Sequence, residues 1–475
     1  MDSVLHGMIE NRVFDEIAIG DSASLVRTLT QDDIDLFALV SGDVNPAHLD
    51  AAFAATDPFH RIVGHGMWSG ALISAVLGTK LPGPGTIYLS QELHFLAPIG
   101  LGDVITTTVT VLEKGVSQNE VTLGCRCVNA AGSDVVRGIA RVRAPTEKVR
   151  CLRTQLPGVQ LNRHRHFHDL LIRAAGGPPV PVAVAHPCDA ASLRAAVEAA
   201  AAGLVAPIMV GPLVRIRAVA AAAALDISSF RLVDAPHSQA AAMQAVALVR
   251  AGEARLLMKG SLHTDELMHA VVAADTGLRT ARRLSHVYLM DVPSYPRPLM
   301  VTDAAVNIAP TLEDKRDIVQ NAIDLAHVMG VVQPRVAILS AVETINPAIR
   351  STLDAAALCK MADRGQITGA LLDGPLAFDN AISPEAARQK GIVSDVAGRA
   401  DILVVPDLEA GNMLAKQLSF LAGADAAGVV VGALVPIILT SRADSERSRI
   451  ASCAVAVLMA RAAAATAKAA TAAAG

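Results

Sequence analysis

The chain has few aromatic residues, a net charge close to zero and no uncharged run long enough to span a membrane. Phe, Trp and Tyr make up 3% of its 475 residues, whereas apolar residues as a whole make up 52%. This balance favours alanine-rich helices and aliphatic α/β cores over an aromatic-rich β-sandwich. The 41 basic and 45 acidic residues leave a formal charge of −4. No overall basic field therefore points to nucleic acid or an anionic membrane, and a polyanionic ligand must be met locally.

Membrane-spanning and disulfide-rich classes are also disfavoured. The uncharged runs Ala199–Val214 and Ala426–Ser441 contain Gly and Pro and are shorter than the ~20 residues of a spanning helix. The start of the chain, MDSVLHGMIENRVFDE, carries acids and lacks an apolar segment, so we expect no signal peptide and a soluble cytoplasmic protein. Cys125 and Cys127 alternate along a predicted strand, which favours ordinary packing over metal or disulfide chemistry.

Two halves of the chain differ in periodicity. Apolar and polar residues alternate over 103–144, as in antiparallel strands, and the apolar helical run Met67–Thr79 precedes them. Later, short aliphatic runs alternate with alanine-rich stretches, which predicts a mainly parallel sheet with helices on both faces. The predicted division is a first domain over 1–148, a linker over 149–178, an α/β domain over 179–465 and a low-complexity tail over 466–475.

Residues 41–50, SGDVNPAHLD, gather an acid, an amide and a histidine. Asn45–Pro46 cannot continue a helix without cost, so we predict a turn-rich loop after a helix that ends near Ser41. Asp43 and His48 can converge across such a turn. Asp43 and Asn45 can equally serve as local caps for nearby amides, and spacing alone leaves both interpretations open.

Two further motifs, IVGHGMWSGALISAVLG and LPGPGTIYLSQELHFLAPIGLGDVIT, follow in order. Together with SGDVNPAHLD they resemble the MaoC-like (R)-specific enoyl-CoA hydratases over roughly residues 20–145. The resemblance implies an α+β hot-dog domain that hydrates trans-2-enoyl-CoA to (R)-3-hydroxyacyl-CoA, with Asp43 and His48 as the catalytic pair and Asn45 orienting the loop. Hydration needs groups that hold water, take its proton and return one to the α carbon. Hot-dog sheets usually pair side by side, which implies a dimer at least.

The developing enolate oxygen needs a hydrogen-bond donor. Gly66, at the start of the predicted apolar helix, is the expected backbone amide, reinforced by the helix dipole. The chain departs from the family pattern at RIVGHGM, where Gly64 separates the Ile-Val pair from His65. Which amide binds the oxygen, and whether His65 is structural or functional, therefore stays open.

Polar residues also follow the aliphatic runs of the second half. In open α/β sheets ligands bind at the carboxyl ends of strands, where we expect His186, Lys259, Asp291, Asp373 and Asp407. The run TSRADS follows the last strand. Its hydroxyls, helix-start amides and guanidinium suit a phosphoryl group, although a helix cap with a surface arginine fits as well.

The motifs LLMKGSLHTDEL, ITGALLDGPLAFDNAIS and VPIILTSRADS, with others between them, resemble the phosphate acetyl/butyryltransferase family over about residues 180–460. The resemblance implies an α/β module of two subdomains and the reaction of acyl-CoA with phosphate to give acyl phosphate and CoA, without a metal or tightly bound cofactor. It assigns the phosphoryl group to Ser441 and Arg442. A carboxylate, Asp444 or Glu446, would deprotonate the CoA thiol, which is mostly protonated at neutral pH.

Other side chains near these motifs are weaker candidates for substrate contacts. A solvated lysine, helix capping or turn chemistry explains each of them almost as well. These candidates are Lys259, His263, Thr264, Asp373, Asp379 and Thr440.

The sequence thus predicts a bifunctional cytoplasmic enzyme and a homo-oligomer, dimer or larger. Its expected partners are acyl-CoA, phosphate and acyl phosphate, with no nucleic acid, membrane or metal. Two alternatives stay open. The second half could be a non-catalytic module for acyl-CoA sensing and oligomerisation, or the hot-dog domain could hydrolyse thioesters, because that fold serves both reactions.

Overall fold

The structure is a computed structural model that describes residues 8–115, 118–152, 159, 165–439 and 445–474. The chain divides into two compact units, Met1–Leu161 and Asn162–Gly475.

The first unit packs a buried helix on a curled antiparallel sheet. In the residues described, the sheet has the strand order β2-β4-β5-β6-β3. The elements of this unit are β1 (Met8–Glu10), a 3-10 helix (Phe14–Glu16), β2 (Ser22–Thr28), α1 (Gln31–Ser41), α2 (Pro46–Leu49), α3 (Ala51–Ala54), α4 (Gly66–Thr79), β3 (Ile87–Phe95), β4 (Val104–Lys114), β5 (Glu120–Val128), β6 (Asp134–Arg143) and β7 (Arg150–Leu152).

The core of this unit follows the period-2 pattern of the sequence. Alternate residues of β4, β5 and β6 are buried, and α4 packs Leu72, Ile73 and Val76 into the same core. Cys125 and Cys127 are buried free thiols of this core, so their interpretation as packing residues is confirmed. Burial raises the pKa of Cys125 to about 11.

The second unit is built on one large mixed sheet. Over the described ranges its strand order is β10-β9-β8-β11-β18-β17-β12-β13-β16-β14-β15. The strands are β8 (Val180–Ala185), β9 (Val205–Gly211), β10 (Arg231–Asp234), β11 (Leu256–Lys259), β12 (Ser285–Asp291), β13 (Leu299–Thr302), β14 (Arg335–Leu339), β15 (Leu371–Leu376), β16 (Ile402–Val404), β17 (Asp425–Val431) and β18 (Ile437–Ile438).

Helices cover both faces of that sheet. Alternate residues of β8 enter two different cores, Val182 and Val184 on one face and Ala183 and Ala185 on the other, as expected for a buried parallel strand. The helices are α5 (Arg165–Ala175), α6 (Ala190–Ala201), α7 (Leu213–Ala222), α8 (Ser238–Arg250), α9 (Thr264–Val272), α10 (Leu312–Met329), α11 (Arg350–Asp363), α12 (Phe378–Ile382), α13 (Pro384–Gln389), α14 (Leu408–Phe420) and α15 (Glu446–Ala474).

The sheet reverses direction near its middle. β17 is antiparallel to β18 and β12, and β12 is antiparallel to β13, whereas the other neighbouring pairs are parallel. His186 follows β8, and Lys259 and Asp291 are the last residues of β11 and β12, which end at the same edge. Asp373 lies within β15 and Asp407 follows β16, and these two strands end at the opposite edge. The expectation of one shared carboxyl-end edge is wrong, because aliphatic runs do not encode strand direction.

The predicted linker over 149–178 contains regular structure. β7 pairs with β1 in the first unit, and α5 buries Phe167, Leu170 and Ala174 in the core of the second. Leu171 packs against the same core, so these residues form an apolar face on a helix whose remaining positions include basic and polar residues. The composition of the whole stretch does not indicate this packing, because arginine, histidine, proline and glycine residues surround the apolar ones.

The C-terminal helix is apolar over most of its length. An 18-residue window within Glu446–Ala469 has a mean hydropathy of 1.7, so this helix is long and apolar enough to cross a membrane by length and composition alone, and 44% of that window is buried within the protein. Residues such as Cys453, Val455 and Val457 lie in the core of the second unit, which accounts for the apolar composition there. α15 continues to Ala474, so the predicted tail extends a helix.

Candidate functional site

The loop after α1 begins with a left-handed glycine. α1 starts at a capping box formed by Thr30 and Asp33 and ends at Gly42, whose φ is 74°. Glycine adopts this conformation without a Cβ penalty and commonly ends helices. The chain turns sharply there, and the next residue is Asp43.

Local caps shape this loop. The Oδ1 atom of Asp43 accepts the Asn45 N–H at 3.2 Å, and Oδ1 of Asn45 accepts the Ala47 N–H at 3.1 Å. Asn45 is thereby the N-cap of α2, with Pro46 as the first helical residue, a favourable combination. The capping interpretation of Asp43 and Asn45 is therefore correct, and it does not compete with pairing, because α2 then carries His48 towards Asp43.

One nitrogen of His48 faces Asp43. The Nδ1 atom lies 2.7 Å from the Val63 carbonyl oxygen. A carbonyl only accepts, so Nδ1 carries the proton and the neutral ring has its lone pair at Nε2. Nε2 is 4.0 Å from Oδ2 of Asp43, and the two side chains are 13% and 50% exposed. This separation exceeds a direct hydrogen bond, and both atoms can accept a hydrogen bond from a third group.

His65 lies against the same pair. Its Nε2–H donates to the backbone oxygen of Asp43 at 3.0 Å, and its ring centroid is 4.0 Å from that of His48 and 5.0 Å from that of Phe37. The side chain is 3% exposed, and its Nδ1 has no hydrogen-bond partner among the described residues. Sequence reasoning left this residue open; the structure places it beside the pair.

A cavity of about 380 Å³ opens beside this cluster. Its lining combines histidines, helix-start glycines and apolar side chains: His48, Phe59, Val63, Gly64, His65, Gly66, Ser69, Phe95, Leu96, Ala97, Pro98, Ile99 and Val136. Gly66 begins α4, where amides have no intrahelical acceptor. The Gly64 amide instead donates to the Ile99 oxygen at 2.8 Å.

Four of the predicted transferase residues, Thr440, Ser441, Arg442 and Asp444, lie outside the described residues. Glu446 is the exposed first residue of α15. Burial and, secondarily, the charge of Glu446 raise the pKa of Glu198 on α6.

Lys259 is the last residue of β11, and His263 and Thr264 lie at the start of α9, the helix that follows it. The Nζ atom of Lys259 donates to the backbone oxygens of Gly260 and Leu262, each at 3.3 Å. His263 is the N-cap of α9 and its N–H donates to Oε2 of Glu266 at 3.2 Å. The capping role of His263 is thus present, and these residues share one edge of the sheet.

Asp373 and Asp379 lie towards the opposite edge. Asp373, within β15, accepts the Gly374 N–H at 2.8 Å, and Asp379, on α12, is 3.4 Å from Nζ of Lys390. Both contacts are local. The structure therefore does not place these two carboxylates on the edge that carries Lys259.

His186 is a polar residue that the sequence indicated only by its position after a strand. Its φ of 56° is unusual for a residue with a side chain. Ser261 Oγ donates to the His186 oxygen at 2.9 Å, which leaves that Oγ to accept the His186 Nδ1–H at 3.1 Å. Burial and the positive charge of Arg215 lower the pKa of His186, so the ring is neutral at pH 7 and lies next to the β11 loop.

Comparisons with known proteins match both halves. Residues 18–127 match the family model of the MaoC like domain, and residues 237–457 match that of the Phosphate acetyl/butaryl transferase. A phosphate acetyltransferase of Rhizobium meliloti is 66% identical over 294 residues, which cover 62% of this chain and 93% of that protein. The chain belongs to the phosphate acetyl/butyryltransferase family.

Two solved structures are also similar to this family member. A branched-chain phosphotransacylase from Enterococcus faecalis is 31% identical with a TM-score of 0.53, over 59% of this chain and 99% of that one. An R-hydratase from Pseudomonas aeruginosa is 45% identical with a TM-score of 0.32, over 33% and 99%. The predicted fold class is confirmed: a MaoC-like hot-dog domain precedes an α/β phosphotransacylase module. The chain is an acyltransferase that also carries a hydratase domain.

Proposed function

We propose that the first unit hydrates trans-2-enoyl-CoA to (R)-3-hydroxyacyl-CoA. The observation that supports this most is the pairing of Asp43 Oδ2 with His48 Nε2 across 4.0 Å beside the cavity. With the ring neutral and the carboxylate ionised, a water molecule can donate both hydrogens to these two acceptors. As its oxygen bonds to C3, one proton passes to the pair, which returns a proton to the α carbon.

Gly66 is the proposed donor to the thioester oxygen. Its amide is at the first position of α4, where the N–H points out of the helix and the helix dipole favours negative charge. The Gly64 amide is occupied by Ile99, which argues against it as the donor. The sequence leaves open which amide binds the oxygen, and the hydrogen-bond pattern favours Gly66, the expected donor.

Incubation of the full chain with crotonyl-CoA separates hydration from hydrolysis. We expect the ultraviolet absorbance of the conjugated enoyl group to fall without release of free thiol. Free thiol formed without phosphate in the buffer would instead establish a thioesterase.

We also propose that the second unit interconverts acyl-CoA and phosphate with acyl phosphate and CoA. The identity to a phosphate acetyltransferase over nearly all of its length supports this reaction. Ser441, Arg442 and Thr440 remain the proposed phosphoryl ligands, and Asp444 or Glu446 the proposed base for the thiol. Lys259, His263 and Thr264 are proposed contacts on the β11 edge, whereas the local bonds of Asp373 and Asp379 make a substrate role for them less favourable.

Thiol release from acetyl-CoA and from butyryl-CoA with phosphate tests the transferase. Release that is lost in S441A and R442A, with both variants folded, supports catalysis. Release that these substitutions leave unchanged contradicts the assigned phosphoryl site. Acyl-CoA binding without any release supports the sensing module.

We further propose that the protein is a cytoplasmic homo-oligomer. β3 forms one edge of the first sheet as far as the structure describes it, and Ile87, Leu89 and Phe95 on it are 52%, 40% and 52% exposed. Exposed apolar edge strands are sites for pairing with another chain. Light scattering tests this: a monomer that persists at micromolar concentration contradicts it.

A further inference from the structure

Asp43, His48 and His65 form a cluster with the composition of a metal site. One potential ligand atom from each residue lies within 4.8 Å of the other two. Two imidazole nitrogens with one carboxylate oxygen suit zinc and other late first-row metals rather than Mg²⁺ or Ca²⁺. The adjoining cavity of about 380 Å³ supplies a path by which an ion can enter.

The surroundings of both rings follow the pattern of metal-binding histidines. Such histidines donate the N–H opposite the metal to a carboxylate or backbone carbonyl, which fixes the tautomer. His48 does so to Val63 at 2.7 Å, and His65 to Asp43 at 3.0 Å. Each ring therefore keeps one nitrogen lone pair.

His65 supplies a second, independent observation. Its side chain is 3% exposed and its Nδ1 is buried without a partner among the residues described. A buried acceptor without a partner costs free energy. A metal ion accepts the electron pair of this nitrogen and thereby removes that cost.

We propose that Asp43, His48 and His65 bind Zn²⁺, leaving its fourth position to the cavity, and that the bound ion inhibits hydration. Inhibition follows because Asp43 and His48, which we propose bind the reacting water, would bind the ion instead. This consequence rests on the proposed hydratase function, whereas metal binding itself does not.

The site must contract when it binds the ion. Tetrahedral zinc with bonds of about 2.1 Å places its ligand atoms about 3.4 Å apart, whereas His48 Nε2 and Asp43 Oδ2 are 4.0 Å apart. Asp43 can make this movement, since its side chain is 50% exposed, while both histidines are anchored. We therefore expect reversible binding, weaker than at a structural zinc site.

Calorimetric titration of the full chain with ZnCl₂ tests the binding. His166 and His168 lie elsewhere in the chain and can also bind zinc. The site is therefore measured as the equivalent of bound zinc that is lost when one of its residues is substituted. We expect H65A and the nearly isosteric D43N each to lose one equivalent or bind it at least tenfold more weakly. His60 is exposed and bonds the Ala55 carbonyl, so H60A is the matched control and keeps that equivalent.

Co²⁺ titration adds a spectroscopic measurement. A tetrahedral site with nitrogen and oxygen ligands gives intense visible absorption, which we expect in the wild type and in H60A but not in H65A. Circular dichroism shows whether each variant is folded. Unchanged zinc stoichiometry and affinity in folded H65A and D43N would overturn the proposed site.

The inhibition is measured by crotonyl-CoA hydration with and without zinc, followed by EDTA. We expect loss of hydration with zinc, recovery with EDTA, and no such loss of phosphate-dependent thiol release in the same sample. Binding that leaves hydration unchanged, or stimulates it, overturns the inhibitory role. If the metal-free protein does not hydrate at all, the proposed function fails, while the calorimetry still decides the metal site.

Discussion

The Nε2–H of His65 donates to the backbone oxygen of Asp43 at 3.0 Å, across 22 residues of sequence. The histidine that precedes α4 therefore holds the loop that carries the acid. Together with the bond from His48 Nδ1 to the Val63 oxygen, the His65 bond connects the pair on the α2 loop to the segment that leads into α4 and its first amide.

Removing that bond is expected to slow hydration more than it weakens substrate binding. For H65A we expect kcat to fall by about tenfold, the equivalent of one hydrogen bond, with little change in KM. Steady-state kinetics with crotonyl-CoA measure both. H60A should match the wild type, and an H65A enzyme with unchanged kcat would show that the bond does not position Asp43.

The pair itself should be indispensable for hydration and irrelevant to the transferase. We expect D43N and H48A each to lower hydration by about a hundredfold or more, as for the loss of a general acid–base group. Phosphate-dependent thiol release should persist in both. Asp15 is exposed and belongs to the same unit, so D15N is a control for the loss of a carboxylate. Comparable hydration by D43N and D15N would refute the assignment.

Gly64 should not tolerate a side chain. A Cβ there would lie 2.6 Å from Cδ2 of Leu29, and Leu29 is only 1% exposed, so it has little room to move. We expect G64A to lower the free energy of unfolding of the first unit by about 1–3 kcal/mol. On α4, a Cβ at Gly78 meets no atom within 4 Å, and G78A should raise it by about 0.5–1 kcal/mol. Urea denaturation measures both; equal effects would contradict the packing.

A buried ion pair links two helices of the second unit. Nζ of Lys315 is 2.8 Å from Oδ2 of Asp354, and the side chains are 6% and 10% exposed. K315M would leave a buried carboxylate without its closest cation, at a cost of about 3–5 kcal/mol. Lys360 and Asp363 form an exposed pair, so K360M should change the free energy of unfolding very little. Similar denaturation midpoints for the two variants would contradict this difference.

His286 should make the second unit sensitive to acid. Complete burial lowers its pKa from 6.5 to about 3, so the folded ring stays neutral while the unfolded one gains a proton. Stability is therefore unaffected above pH 6.5 and falls as the pH decreases from there towards 3. In H286L the loss over this range should be smaller, and the same slope in H286L and the wild type would contradict this account. Guanidinium denaturation at several pH values measures the slopes.

Local sequence patterns carried the prediction of the first unit. Alternation over 103–144 indicated the antiparallel strands, and Asn45–Pro46 indicated the turn that brings Asp43 near His48. The position of His65 could not be predicted, because its bond to Asp43 joins distant residues and depends on where Gly64 packs.

In the second unit, local sequence patterns predict the strands but not their directions. Aliphatic runs marked the strands, but nothing in them indicated that β12 and β17 reverse the sheet, so Asp373 was expected beside Lys259. α5 is not evident from the sequence, because arginine and histidine residues separate some of its apolar residues and stretches with Pro and Gly flank it. The phosphoryl site at Ser441 and Arg442 lies outside the described residues and stays a prediction.

The central claim is that Asp43 and His48 add water to an enoyl thioester, and the most direct measurement is the identity and chirality of the product that the full chain forms from crotonyl-CoA. We expect (R)-3-hydroxybutyryl-CoA from the wild type and almost none from D43N. Free crotonate, the (S) product, or equal product from wild type and D43N would contradict the account.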